Sequence, residues 1–199
     1  MSVRVLLAQG FVVAIVAATG AGCASPQVHY YSLMPDVVHA ARTQSGTAVA
    51  VAVASVTVPA AVNRPQLVIG SGERARLLLE QERWIEPVAE DLQRAIAQHL
   101  ASRLVDMNVL IGGERGADAA AFRVFVQVRR LEMSLDSGAC LDAHWLILGR
   151  SFQPVREGEF FGSVPATVKG YAALVRAQSA AVGSLAAEIA VALEGLAPP

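Results

Sequence analysis

The chain has 199 residues, with 16 basic and 17 acidic side chains and a formal net charge of −1 at pH 7. This length suits one domain, and a near-zero charge without a basic run argues against nucleic-acid binding through phosphate neutralisation. The chain has two cysteines, Cys23 and Cys140. If Cys23 carries lipid, no intramolecular disulfide can form, and Cys140 is expected to be a buried, inert thiol.

Residues 1–22 have the layout of an export signal. Arg4 precedes an apolar run from Val5 to Ala18, and small residues then lead to Cys23, an order typical of secretory signals. The run is too short to span a bilayer, which takes about 20 apolar residues. The stretch from Gly20 to Cys23 resembles the lipobox of bacterial lipoproteins, although Gly20 stands where leucine is usual. The simpler alternative is an ordinary cleaved signal followed by an incidental cysteine.

The predicted organisation has three parts. A signal peptide covers residues 1–22, a lipidated linker covers 23–29, and a single globular domain covers 30–197. At about 3.3 Å per residue the linker reaches roughly 20 Å. The domain is therefore expected to lie close to the membrane surface.

Alternating apolar residues predict short strands separated by turns. The strand from Phe122 to Leu135 changes the parity of its apolar residues at Arg129-Arg130, and the strand from Thr47 to Val58 does so near Ala54-Ser55. A β-bulge at each place explains the change. Seven strands are predicted: His29 to Met34, Thr47 to Val58, Gln66 to Ile69, Arg74 to Glu80 (with Ala75, Leu77 and Leu79 inward), Met107 to Ile111, Phe122 to Leu135, and a central His144 to Gly149.

Helical periodicity occurs twice. One helix begins at Glu86-Pro87 with proline at its first position, and a longer, alanine-rich helix runs from about Thr167 to Leu193. Gln153 to Pro165 is predicted to be a loop. Strands separated by helices predict an α/β (mixed α+β) domain, with a mixed β-sheet of about five to seven strands and two long helices packed on it.

The sequence offers no constellation that would carry an enzyme. Glu90-Asp91 falls on the polar face of the first helix, where a solvated pair is expected. The glycine pairs are too short for a dinucleotide fingerprint, so no cofactor is expected. The histidines do not have the spacing of metal ligands, and none belongs to a pattern that pairs it with a nucleophile. They are His29, His39, His99 and His144.

Three segments in order resemble the PqiC (YmbA-like) family of auxiliary lipoproteins of ABC-type transport systems. They are Cys23 followed by a linker and Tyr30-Tyr31-Ser32-Leu33, then Pro59 with Asn63 to Val68, then Arg83-Trp84 before Pro87 and an amphipathic helix. The last helix fits the same pattern, so the resemblance covers essentially the whole mature chain.

The resemblance implies a non-enzymatic lipoprotein of the Gram-negative envelope that works with an MCE-domain protein in lipid trafficking. It also implies a fold similar to the anticodon-binding-like and TolB N-terminal folds. Ala24 after the cysteine is similar to lipoproteins sorted to the outer membrane, facing the periplasm. A homo-oligomer is a further possibility, and the alternative function is a carrier module that holds an acyl chain itself.

Three residues are candidate partner contacts: Tyr30, Asn63 and Arg64. Pro59 to Pro65 is predicted to be a turn-rich connection, since two prolines in seven residues cannot both join a sheet ladder. A stiff loop presents Asn63 and Arg64 at low entropic cost. The plainer alternatives are sheet packing for Tyr30 and a solvated turn for Arg64, while Trp84 is expected to fill the core under the helix start.

Overall fold

A computed structural model describes residues 26–35, 49–71 and 75–196. The predicted signal peptide and Cys23 lie outside the described residues, as does most of the loop predicted after Met34. The described chain forms a mixed α+β fold, as predicted, with eight strands in one sheet and two long helices. The elements are β1 His29–Tyr31, β2 Val49–Thr57, β3 Gln66–Ser71, β4 Ala75–Trp84, α1 Val88–Arg103, β5 Met107–Ile111, β6 Phe122–Ser134, β7 Gly138–Leu148, β8 Pro154–Val164 and α2 Tyr171–Glu194, with a short 3-10 helix at Ala117–Ala119.

The sheet is built around the long strand β6. One edge of β6 pairs antiparallel with β7, which in turn pairs with β8. The first half of the other edge pairs parallel with β2, which continues to β5. Near the end of β6, Ser134 lies opposite Gly70 of β3, and the order then continues through β4 to β1. The sheet therefore has two branches on one side of β6.

Both predicted β-bulges are confirmed. The register between β2 and β6 shifts between Val53 and Ser55, and the register between β6 and β7 shifts between Val128 and Arg130. An extra residue in one strand moves every later side chain to the opposite face. The bulges therefore keep valine and leucine side chains facing the helices on both sides of each shift.

Gln153 to Pro165 is a strand and not a loop, so the prediction was wrong here. It forms β8, which pairs along its length with β7. Two of its glycines stand where aromatic rings occupy the space of a side chain. A Cβ at Gly158 would overlap the Trp145 ring, and one at Gly162 would lie 2.8 Å from Cζ of Phe160.

The two helices pack against each other and on the same face of the sheet. α1 contacts β2 and β5, and α2 contacts β6, β7 and β8. α1 starts at Val88, so Pro87 is its N-cap and not its first residue, and α2 starts at Tyr171, later than predicted. By length and composition α2 could cross a membrane, but most of it is buried in this core.

The β3–β4 hairpin is confirmed, but the first half of β4 carries little core. Ala75 and Leu77 were predicted to face inward, and instead both are exposed, as is Leu78, while Leu79 is half-buried. β4 also continues to Trp84, and only this far end is buried. The strand predicted from His144 is likewise longer, since β7 starts at Gly138, and its two neighbours confirm an interior position in the sheet.

Candidate partner-binding groove

A groove of about 350 Å³ opens where β4 ends and α1 begins. One wall is the turn between β2 and β3, and the other is the segment that joins β4 to α1. This groove brings two of the three predicted contact residues together. Its lining consists of Asn63, Arg64, Pro65, Trp84, Ile85, Glu86 and Pro87.

Backbone hydrogen bonds hold the first wall in place. The carbonyl of Pro59 accepts from the N–H groups of Val62 and Asn63 at 3.0 and 3.2 Å, and Arg64 N–H donates to the Val62 carbonyl at 2.9 Å. The turn predicted for Pro59 to Pro65 is thus confirmed. Because Trp84 N–H donates to the Pro65 carbonyl at 2.8 Å, the two walls are also fixed to each other.

Arg64 supplies the positive charge of the groove. Its side chain is half-buried, and Nε is buried without a hydrogen-bond partner among residues 26–35, 49–71 and 75–196. None of the ion pairs formed within these ranges includes Arg64. Glu86, the acidic group of the same groove, is already paired with Arg94, whose Nε donates to Oε1 at 3.1 Å. The Arg64 charge is therefore available to an incoming acidic group.

The apolar part of the groove combines a fixed floor with an exposed rim. Trp84 is almost fully buried, so the prediction that it fills the core at the helix start is confirmed. Ile85, the next residue, is 65% exposed. Its N–H donates to the Tyr31 carbonyl at 2.9 Å, so its backbone is fixed although its side chain is free.

Tyr30 lies beside the groove and does not line it. It sits on β1 opposite Arg83 and is 61% exposed. Its neighbour Tyr31 points the other way and donates to Oε2 of Glu82 at 2.6 Å, while Nδ1 of His29 lies 3.0 Å from Oε1. Burial, with the Glu82 carboxylate, raises the pKa of Tyr31 to about 12. These contacts fix β1, and with it the backbone of the exposed Tyr30.

Asp91 was wrongly predicted to form a solvated pair with Glu90. Glu90 is exposed, but Asp91 is completely buried. Its carboxylate accepts from Ser32 Oγ at 2.8 Å and from Leu33 N–H at 2.7 Å. Burial raises the pKa of Asp91 above its usual range. Helical spacing from Val88 places Asp91 on the apolar face, and this was the signal that could have identified it.

The segment after β1 is held from both helices. Asp91 of α1 binds it as described, and Ser179 of α2 donates from Oγ to the Leu33 carbonyl at 2.8 Å. The Leu33 side chain is completely buried. The segment that follows the predicted linker is therefore locked into the core.

Side chains that could bind a metal ion or act as a nucleophile are dispersed across the described parts of the chain. In ranges 26–35, 49–71 and 75–196, no group of three or more His, Cys, Asp or Glu side chains could hold a metal ion. Cys140 is half-buried, less than predicted, and burial raises the pKa of its thiol. A thiol with a raised pKa is mostly protonated at neutral pH and reacts slowly.

The fold is a small α+β domain with a surface groove. The chain belongs to the family of ABC-type transport auxiliary lipoprotein components, whose family model matches residues 31–190. It is therefore an auxiliary component of a transport system, associated with the cell envelope, in a family that is not one of enzymes. None of the curated proteins matches it.

Solved structures are similar in fold. An uncharacterized protein has a TM-score of 0.68 at 16% identity, with 84% of this chain and 99% of that chain covered. Protein XCC0632 from Xanthomonas campestris, of the DUF330 family, has a TM-score of 0.58 at 15% identity, with 72% and 81% covered. A PelC dodecamer from Paraburkholderia phytofirmans has a TM-score of 0.42 at 10% identity, with 69% and 83% covered.

Proposed function

We propose that this chain is a membrane-anchored auxiliary lipoprotein of an ABC-type, MCE-type lipid transport system. It binds the periplasm-spanning MCE-domain protein of that system and thereby supports lipid trafficking and membrane integrity. Family membership supports the auxiliary role. The groove with the uncompensated Arg64 charge is the observation that carries the binding role.

The proposed anchor is a diacylglycerol on Cys23. Each buried CH₂ contributes about 0.8 kcal/mol, so one chain holds marginally and several hold firmly. Ala24, in place of aspartate, supports delivery to the outer membrane with the domain facing the periplasm. A partner arriving from the periplasm then meets a domain whose position is already fixed.

The groove suits a partner segment that combines an acidic group with an apolar side chain. A carboxylate can accept from the planar guanidinium of Arg64 with paired hydrogen bonds. An apolar neighbour can pack against Ile85 and the two prolines. Because the walls are fixed by backbone hydrogen bonds, little conformational entropy is lost when they are covered. Tyr30 and Asn63 extend the contact at either side.

The alternative function, a carrier that holds an acyl chain, needs an apolar cavity between helices and sheet. In the described residues this region is filled with side chains at zero exposure. A cleft of about 290 Å³ between α1 and β5 is apolar, but it lies at the surface. The filled core favours the binding role; its members at zero exposure include Leu33, Leu92, Ile96, Leu100, Leu141, Ile147, Leu174, Leu185, Ile189 and Leu193.

Arg64→Ala is expected to weaken partner binding without unfolding the domain. Loss of one charge-assisted contact should lower the affinity for the MCE-domain partner about tenfold or more, which corresponds to about 1.4 kcal/mol. The free energy of unfolding should change by less than about 0.5 kcal/mol, as for other substitutions outside the core. Binding is measured by titrating the purified partner, and stability by denaturant unfolding.

Arg115→Ala is the matched control, because Arg115 is an exposed arginine in another loop. It should leave both binding and stability unchanged. Equal binding by the Arg64 and Arg115 variants would place the partner surface elsewhere. Early unfolding of Arg64→Ala alone would show that Arg64 supports the structure of the turn.

A further inference from the structure

The direction of β1 shows where the membrane anchor leaves the domain. β1 runs parallel to β4, with His29 opposite Glu82 and Tyr31 opposite Trp84. The chain upstream of His29 therefore leads back towards the end of the sheet at which β4 begins. His29 follows Cys23 by six positions, which cover about 20 Å when extended. Glu82 also follows Arg76 by six positions, and because the register of β4 against β3 shifts between Leu79 and Arg83, that stretch covers no more than the same distance. The anchor can thus reach as far as the first residues of β4.

That end of the sheet carries exposed apolar side chains. Gly70 lies opposite both Arg76 of β4 and Ser134 of β6, so these strand ends are level. Ser134 lies opposite Gly138, and the next residue, Ala139, lies opposite Val164 at the end of β8. Three exposed leucines lie at this end, Leu77 at 49%, Leu78 at 44% and Leu135 at 48%, and Val168, which follows the end of β8 by four residues, is 58% exposed.

Leu77 and Leu78 are exposed in spite of being neighbours in one strand. Adjacent strand residues point to opposite faces of a sheet, so both faces of β4 are open here. β1 pairs only with Glu82, Arg83 and Trp84, which leaves the outer edge of β4 unpaired from Ala75 onwards within the described residues. An uncovered apolar arm of this kind normally has a binding partner.

The proximity of the anchor favours a lipid surface as that partner. A tether of about 20 Å from His29 allows this end of the sheet to reach the bilayer, where exposed leucine and valine side chains can enter the interface. A cation stands next to one of the apolar residues, since Lys169, the only lysine of the chain, follows Val168. Arg76 precedes Leu77, but its guanidinium is paired with Glu132. Basic side chains beside inserted apolar ones can contact lipid phosphates.

We propose that Leu77, Leu78, Leu135 and Val168 form a membrane-facing end that rests in the interface of the anchoring bilayer. This inference rests on the proposed acylation of Cys23. It also orients the molecule. Gln66 lies opposite Arg83 and Gly70 lies opposite Arg76, so the Arg64 groove, next to Gln66, is about four strand residues, or roughly 13 Å, farther from the bilayer.

Tryptophan quenching by lipids with brominated acyl chains tests the proposal in the acylated full chain. Leu78→Trp and, as a control, Val191→Trp are reconstituted into vesicles of phosphatidylethanolamine and phosphatidylglycerol. Val191 is exposed and lies twenty residues into α2, about 30 Å from its start near β8. The native Trp84 and Trp145 are buried and contribute a constant background.

The added fluorescence of Leu78→Trp should fall at least twofold in brominated vesicles, and that of Val191→Trp should not change. Leu135→Trp should repeat the result at the neighbouring strand end. Equal behaviour of Leu78→Trp and Val191→Trp would overturn the proposal. So would protection of Leu78→Trp from a soluble quencher without quenching by lipid, since a protein would then cover this end.

The intact mass of the same samples distinguishes a failure of the membrane-facing end from a failure of the proposed anchor. An acylated, vesicle-bound protein without lipid quenching at position 78 would overturn the orientation and leave the anchored binding role standing. A protein without an acyl group would remove the anchor, and with it both the proposed function and the membrane-facing end.

Discussion

Replacing Asp91 with alanine should lower the free energy of unfolding by about 3 kcal/mol. The carboxylate is completely buried and accepts from Ser32 Oγ and Leu33 N–H. Hydrogen bonds to a charged group contribute about 1.5–3 kcal/mol, and a buried donor left without a partner costs about 1–3 kcal/mol. Alanine removes both bonds at once. Denaturant unfolding of the purified domain measures the loss, which should also free the segment around Leu33.

Glu90→Ala is the control, since the neighbouring Glu90 is exposed and its removal should cost less than about 0.5 kcal/mol. Equal, small effects of the two substitutions would contradict a stabilising role for the hydrogen bonds that Asp91 accepts from Ser32 and Leu33. Hydrogen exchange at the Leu33 N–H provides a second readout. Exchange there should accelerate in Asp91→Ala and stay slow in Glu90→Ala.

The same carboxyl should give stability a characteristic pH dependence. Burial raises the pKa of Asp91 in the folded protein, while in the unfolded chain it keeps its ordinary value. The folded state therefore holds this proton to higher pH, and the contribution of Asp91 is greatest below the ordinary pKa and declines as pH rises through the raised one. Relative to Asp91→Asn, which does not titrate, wild type should lose stability across this window. The opposite slope would contradict the raised pKa.

Cys23→Ser should abolish membrane association of the chain. If Cys23 is the acylated first residue of the mature protein, serine removes every acyl chain at once. The variant should be processed differently, move from the membrane to the soluble fraction, and fail to incorporate a fatty-acid analogue. The domain should still fold, since the described part of the linker, residues 26–29, is exposed.

Cys140→Ser is the matched control, because it replaces the other cysteine and leaves the proposed anchor intact. It should remain in the membrane fraction and carry the label. Intact-mass measurement of wild type should show an N-terminal acylated cysteine. A wild-type protein that is soluble and unmodified would show instead that the signal is cleaved in the ordinary way.

Local patterns predicted those features that depend on neighbouring residues in the chain. The change of parity near Ala54-Ser55 identified the bulge of β2, because the side-chain period of a strand is fixed at two. Prolines identified the turn that holds Asn63 and Arg64. The helices were located by their periodicity, although their first residues were displaced by one to four positions.

The predictions that were wrong concern features that depend on contacts between residues distant in sequence. Gly158 lies in a strand because the Trp145 ring fills the space beside it, and a sequence pattern shows a glycine but not its neighbour. Asp91 is buried because Leu33, far away in sequence, brings an N–H that needs an acceptor. The second wall of the groove, from Trp84 to Pro87, could likewise not be predicted from the sequence, because only the folded chain brings it next to Arg64.

The partner groove is tested most directly by photocross-linking in intact cells. A photoreactive residue replaces Ile85 at the exposed rim of the groove, or Val105, which is also exposed but follows the far end of α1. The account predicts a covalent adduct with the MCE-domain protein from position 85 and none from position 105. An adduct from position 105 alone, or no adduct with that protein from position 85, would contradict it.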